Sequence, residues 1–174
     1  GMAKTDWSWS LLMADFDNDG FKDISITNGI KRDIRNNDFQ YKIKLANDAG
    51  KRDFKIKELL DLMPSEPIAN YMFRNPGDAE DGNNQVKFKN VADEWGFNHP
   101  GFSNGMAIAD LDNDGDLDAV VNNVGSSAFV YKNIRGNQSN YLRIQLGNPV
   151  EYAKTLNAKV SIKYGDDQYQ CVEV

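Results

Sequence analysis

A nine-residue aspartate pattern constrains this chain more than any other feature: DFDNDGFKD, Asp15 to Asp23, recurs as DLDNDGDLD, Asp110 to Asp118, 95 residues later. The flanks agree as well. Trp7, Ser8 and Ala14 fall opposite Phe102, Ser103 and Ala109, and Ile26 and Asn28 fall opposite Val121 and Asn123. Self-similarity of this kind marks a fold built from copies of one supersecondary unit. A second element repeats at another offset: YMFRN, Tyr71 to Asn75, matches FVYKN, Phe129 to Asn133, 58 residues on. The mismatch between the two offsets places an insertion in the first unit, at roughly Lys31 to Pro67.

The insertion differs in character from the rest. Ile56, Leu59, Leu60 and Met63 follow the spacing of an amphipathic helix, with Asp53 as a candidate cap and Pro64 as the stop. This helix is expected to pack those four residues against the β units. A weaker helical stretch runs through Phe39, Ile43 and Ala46. Elsewhere the signals are β: ISIT, VKFKNV, AVVNN and AFVYK, separated by turn residues. From Asn140 onward Leu142, Ile144 and Leu146 alternate with polar residues, as do Val160, Ile162 and Tyr164, which predicts half-buried strands. The expected organisation is therefore residues 1–139 as two β units with a helical insertion, and residues 140–174 as a further β unit.

The aspartate pattern has a direct chemical reading. Calcium takes roughly six to eight oxygen ligands at about 2.3–2.6 Å. The first, third, fifth and ninth loop positions supply carboxylates: Asp15, Asp17, Asp19 and Asp23 in one loop, and Asp110, Asp112, Asp114 and Asp118 in the other. The seventh position, Phe21 or Asp116, can serve through its backbone carbonyl, which leaves its side chain free to vary. Gly20 and Gly115 permit the tight turn. Crowded carboxylates repel by about 4 kcal/mol per nearby pair at an effective dielectric of 20, and a divalent cation offsets that cost. The alternative is a metal-free Asp/Asn-Gly turn; two loops with the same fixed positions favour the metal. An EF-hand is excluded, because it needs a bidentate Glu where this chain has Ile26 and Val121, and helices where it has β flanks.

With these loops, their β flanks and the FRN/YKN strands, the chain resembles the FG-GAP/VCBS repeats of integrin-like β-propellers. Its tail, NYLRIQLGN followed by NAKVSIKYG, resembles the start of the ASPIC/UnbV module that follows such repeats in cartilage-acidic-protein-like and bacterial surface proteins. The resemblance implies four-stranded blades with calcium in a hairpin loop. It also implies a secreted or surface-exposed protein, extracellular or periplasmic, that acts in adhesion or ligand binding. About two blades are visible, too few to close a propeller. The expected fold class is thus mainly β, with propeller-type blades, a helical insertion and a C-terminal β unit.

Charge narrows the partners. The net charge is −6, from 20 basic and 26 acidic residues, and the eight loop carboxylates account for more than that excess. No basic stripe appears, which argues against nucleic acid. Forty per cent hydrophobic residues allow a real core. Cys171 is the only cysteine, so no internal disulfide forms; an oxidising compartment stays open, since metal can do the stapling instead. No apolar run approaches membrane-span length. The opening GMAKTDWSWS reads as mid-domain sequence, so the chain is expected to be a piece of a longer protein.

Catalytic signals are weak. GFSNG, Gly101 to Gly105, matches the nucleophile-elbow pattern around Ser103. That motif needs a following helix and a later histidine, whereas a strand follows here and the only histidine, His99, comes before. Trp7 and Trp9 offer a sugar-stacking pair, but Trp7 falls opposite Phe102, which favours core packing. Asn137 to Ser139 forms a glycosylation sequon by pattern. The leading expectation is a non-catalytic calcium-stabilised module that recognises a glycan or a surface protein. The alternatives are part of a calcium-dependent glycan-processing enzyme, and a purely architectural spacer. Oligomeric state is not legible.

Overall fold

In the computed structural model, residues 4–51, 54–77, 86–134, 141–147, 157–165 and 168–173 are described. Their elements are β1 (Ser8–Ala14), β2 (Asp23–Asn28), α1 (Asn37–Asp48), α2 (Ile56–Leu62), β3 (Tyr71–Arg74), β4 (Lys89–Asn90), β5 (Ser103–Ala109), β6 (Asp118–Asn123), β7 (Phe129–Tyr131), β8 (Lys159–Tyr164) and β9 (Gln168–Glu173). The described fold is mainly β. Every strand pairing is antiparallel, in sheets ordered β1-β2-β3-β4, β5-β6-β7 and β8-β9. None of the helices is long and apolar enough to cross a membrane.

The first two sheets share one register. Leu11 faces Ile26 and Ala14 faces Asp23 in the first; Met106 faces Val121 and Ala109 faces Asp118 in the second. Ile24 pairs with Phe73 and Ile26 with Tyr71, as Ala119 pairs with Tyr131 and Val121 with Phe129. Even the irregularity falls at the same place, after Ser8 and after Ser103. A one-residue slip would send every core side chain to the wrong face, so two sheets of the same pattern settle on the same pairing. Each aspartate loop is the connection of the first hairpin in its sheet.

The sheets bury a common core. Phe16, Met72, Val91 and Phe97 from the first unit meet Ala119 and Val121 from the second. Each large apolar side chain buried this way contributes about 1.5–3 kcal/mol. Strand β5 lies against β1 and β2. At this approach Gly29, with φ 124°, faces the Gly101 carbonyl so closely that a Cβ would sit 2.7 Å from it. Ile68 and Gly101 exchange backbone hydrogen bonds of 3.1 and 2.9 Å beside it.

A buried polar chain crosses the same seam. The Asn28 amide N–H donates to Asn70 Oδ1 (2.9 Å), Asn70 Nδ2 donates to Ser103 Oγ (3.1 Å), and Ser103 Oγ donates to Asn123 Oδ1 (2.8 Å). Ser8 Oγ donates to Asn28 Oδ1 at 2.8 Å, the counterpart of the Ser103–Asn123 bond. Asn28, Asn70 and Ser103 are at most 1% exposed, so these bonds answer groups that water does not reach.

The insertion joins β2 to β3 and contains both helices. Asn36 caps α1, accepting from the Asp38 and Phe39 amides. Phe39 is buried, with Ile43 and Ala46 half-buried on the same face. Helix α2 ends at Leu62 because Met63 precedes Pro64 and is extended, at ψ 132°. Its packing departs from expectation. Leu59, Leu60 and Met63 are half-buried, but Ile56 is 77% exposed. Ile56 opens the helix, and first-turn side chains project back beyond the helix start, away from what its later turns cover. Lys55 takes the capping position without a side-chain bond, and Asp53 lies outside the described residues.

Three further expectations change. Residues 141–147 form no strand, and Leu142 and Ile144 are 67% and 44% exposed. This segment instead lies along the second loop, where the Tyr141 ring fills the space beside Gly115. Alternation specifies a strand only where a partner edge is offered. Trp7 is half-buried rather than in the core, and the Arg35 guanidinium stands 4.3 Å over its ring. Trp9 is exposed and donates its indole N–H to the Gly29 carbonyl. In β8, Val160 and Ile162 are half-buried as expected, while Tyr164 is exposed. The Asn137 sequon lies outside the described residues.

Candidate metal centres

Both loops adopt one hydrogen-bonding scheme. Asp15 accepts from the amides of Asp19 (3.0 Å) and Gly20 (2.8 Å); Asp110 accepts from Asp114 (3.1 Å) and Gly115 (3.3 Å). The fifth carboxylate accepts from the seventh amide, Asp19 from Phe21 and Asp114 from Asp116. Asn18 and Asn113 are left-handed at φ 54° and 65°, a conformation that Asn tolerates better than most residues. Gly20 and Gly115 each sit at φ 94°, where a Cβ would be strained.

This geometry gathers three carboxylates per loop. Asp15, Asp17 and Asp19 form one triad, and Asp110, Asp112 and Asp114 the other, with one oxygen of each residue within 4.8 Å of the others. Each triad could hold a metal ion. The donors are all carboxylate oxygens, with no imidazole or thiolate among them, which suits a hard cation such as calcium or magnesium over zinc or copper.

The ninth-position acids lie outside the triads. Asp23 is fully buried and accepts from the Phe16 amide (3.0 Å) and the Asn75 amide (2.8 Å). Asp118 accepts in the same way from Leu111 (3.0 Å) and Asn133 (2.8 Å). These carboxylates tie the loop base to the end of the third strand. The final Asn of the FRN/YKN element gives its backbone amide to each Asp, and its side chain donates to a loop carbonyl, Asn75 Nδ2 to Lys22 (3.2 Å) and Asn133 Nδ2 to Leu117 (3.4 Å). Burial pushes the Asp23 carboxyl up to about 6, against the pull of its two amides. Burial likewise raises Asp15.

Basic side chains, which the loop pattern alone does not reveal, neutralise the acids. Arg74 contacts Asp17 (2.6 Å) and Asp19 (3.0 Å). Lys132, at the matching position of the second sheet, contacts Asp112 and stands 3.9 Å from Asp114. The Lys132 hydrogen bond holds Asp112 below the usual carboxylate range. Arg143 reaches Asp110 at 2.6 Å from the segment beyond β7. The signal for Arg74 and Lys132 was present in the repeat itself, as the basic residue before the shared Asn.

The seventh positions diverge. Phe21 is 39% exposed, with its ring against Gly77. The Asp116 side chain, at the position expected to serve through its backbone carbonyl, is buried between the loops and accepts from Asn18 Nδ2. Burial, then the charges of Asp114, Asp118 and Asp110, raise its carboxyl.

The Ser103 hydroxyl is buried and committed to Asn70 and Asn123. The His99 ring packs against Phe129 and Tyr131 at 5.8 and 6.0 Å between centroids. A cleft of about 340 Å³ opens between the sheets beside Trp95, Phe97 and Tyr131.

No family model, curated protein or solved structure matches this chain.

Proposed function

We propose that this chain is a non-catalytic calcium-binding module of an extracellular or surface protein, serving as a scaffold or recognition unit for a glycan or a protein partner. The observation that carries the reading is the duplication. Two all-carboxylate triads are built by the same hydrogen bonds, in the same hairpin, of two sheets in the same register. Calcium is favoured over magnesium because each loop gathers three protein carboxylates, whereas magnesium demands a smaller octahedral shell and keeps its waters. The sheets are read as propeller-type blades of the FG-GAP/VCBS kind. Support comes from the four-stranded antiparallel order β1-β2-β3-β4 and from the loop position between its first two strands. The C-terminal hairpin β8-β9 is read as the start of an ASPIC/UnbV-like unit.

The test is titration calorimetry with calcium on the whole chain. Two sites are expected, with dissociation constants of about 0.1–1 mM, as in extracellular modules. Asp17→Ala and Asp112→Ala should each remove one of them. Absence of calcium binding to the wild-type protein would leave the loops as plain turns and end the reading. Glycan-array binding would separate recognition from a purely architectural role.

A further inference from the structure

The two loops are alike in sequence and unlike in their surroundings. Asn113, the fourth residue of the second loop, is exposed. Its counterpart Asn18 reaches out of the first loop and donates through Nδ2 to Asp116 Oδ1 at 2.6 Å. Asp116 is the seventh residue of the second loop and is 1% exposed. Its other oxygen, Oδ2, is buried without a hydrogen-bond partner. A second bond crosses the other way: Asn133 Nδ2 donates to the Phe16 carbonyl at 2.6 Å, while the Asn133 amide donates to Asp118. Each loop is therefore braced by a side chain anchored in the other unit. Among the described residues, none satisfies this carboxylate oxygen at the seam.

We infer that the two cation sites form a coupled pair, in which filling either triad raises the affinity of the other through the Asn18–Asp116 and Asn133–Phe16 hydrogen bonds. This deepens the calcium reading above and rests on it. A cation held by Asp15, Asp17 and Asp19 fixes the backbone that carries Asn18. The Asn18 amide then holds Asp116, whose own N–H donates to the triad member Asp114 at 3.1 Å. The second loop is thereby ordered before its ion arrives, and the ordering cost falls on the first binding event alone. The negative charge of Asp116, at the seam, also opposes the mutual repulsion of two divalent ions. Coupling is reciprocal by linkage, so the second site must act on the first by the same factor.

Calcium titration calorimetry on the whole chain tests this with wild type, Asp17→Ala, Asn18→Gly and their combination. Glycine at position 18 removes the amide and keeps the left-handed backbone accessible. Asp17→Ala should weaken the remaining second site about fivefold or more, the lower end of typical coupling. In the Asn18→Gly background the same substitution should weaken that site by a smaller factor, since only the Asn133–Phe16 bond then links the loops. Asp112→Ala should weaken the first site by the same factor as Asp17→Ala weakens the second. If Asp17→Ala disturbs folding, seen as a lost far-ultraviolet circular dichroism signal, Asp17→Asn replaces it. Two sites that bind calcium, with the second indifferent to Asp17→Ala, would overturn the coupling and leave the calcium reading standing. No calcium binding in the wild type would overturn both.

Discussion

A carboxylate that accepts two buried backbone N–H groups is hard to replace. Asp23→Ala would strand the amides of Phe16 and Asn75, and Asp118→Ala those of Leu111 and Asn133. Each should cost about 2–4 kcal/mol of stability in calcium-free protein, measured by urea unfolding. Asp23→Asn keeps one acceptor oxygen and should cost less. An alanine substitution at Asp23 that proved as mild as one at an exposed surface site would contradict the bonding described. The pH response of Asp23 has a definite sign. Its folded value, about 6, lies above the ordinary 3.8, so the folded protein binds the proton more tightly than the unfolded chain. Its contribution to stability is therefore greatest below the unfolded value and is lost as pH rises toward and through 6. Calcium-free wild type should consequently lose stability relative to Asp23→Asn between pH 5 and pH 7.5. Denaturant midpoints of the two proteins that move in parallel over that range would rule this out.

At the scale of elements, the polar chain across the sheets and the two helices respond to different substitutions. Ser103→Ala leaves Asn70 and Asn123 without their shared hydroxyl and should destabilise by about 1–3 kcal/mol. A fluorophosphonate probe should leave Ser103 unlabelled, since the hydroxyl faces amides in a buried seam. Phe39→Ala in α1 should cost about 3 kcal/mol. Ile56→Ser in α2 should stay within about 0.5 kcal/mol, because that side chain is already in solvent. The paired strands of the two repeated units and both helices were legible, since hydrophobic period and the two repeat offsets are local quantities, whereas the strand expected at Leu142 to Leu146 did not form. The acid triads were legible for the same reason: one loop carries all three carboxylates. What was not legible depends on contacts between distant residues. Asn18 meeting Asp116 follows from how the second unit packs on the first, and Arg143 meeting Asp110 from how the segment beyond β7 lies along the second loop. Spacing pointed Asp23 and Asp118 toward the ion and gave no sign of the two backbone amides that each carboxylate receives. The exposure of Ile56, Leu142 and Ile144 belongs to the same class: period identifies a face without supplying its cover.

At the scale of the whole molecule, calcium should act as a folding ligand. At about 2 mM calcium a site with a dissociation constant of 0.1–1 mM adds roughly 0.7–1.8 kcal/mol by mass action, and two sites add about twice that. Removing calcium should lower the melting temperature by several degrees, and magnesium should restore it poorly. Superimposable melting curves with calcium and with excess chelator would contradict this. The connection between second and third strands carries a different consequence, in chain entropy. The second unit makes that link with residues 124–128, while the first makes it with residues 29–70. Closing a loop roughly eightfold longer costs about 2 kcal/mol more. The longer link must recover that from contacts of its own. It does so by closing on itself, with the Asp33 amide donating to the Pro64 carbonyl, and by bringing a buried phenylalanine and a capped helix. Its middle part, roughly residues 31–67, behaves as a passenger spliced into a hairpin, and replacing that part with a short link that keeps Gly29, Ile68 and Asn70 should leave the pairing of β2 with β3 in place.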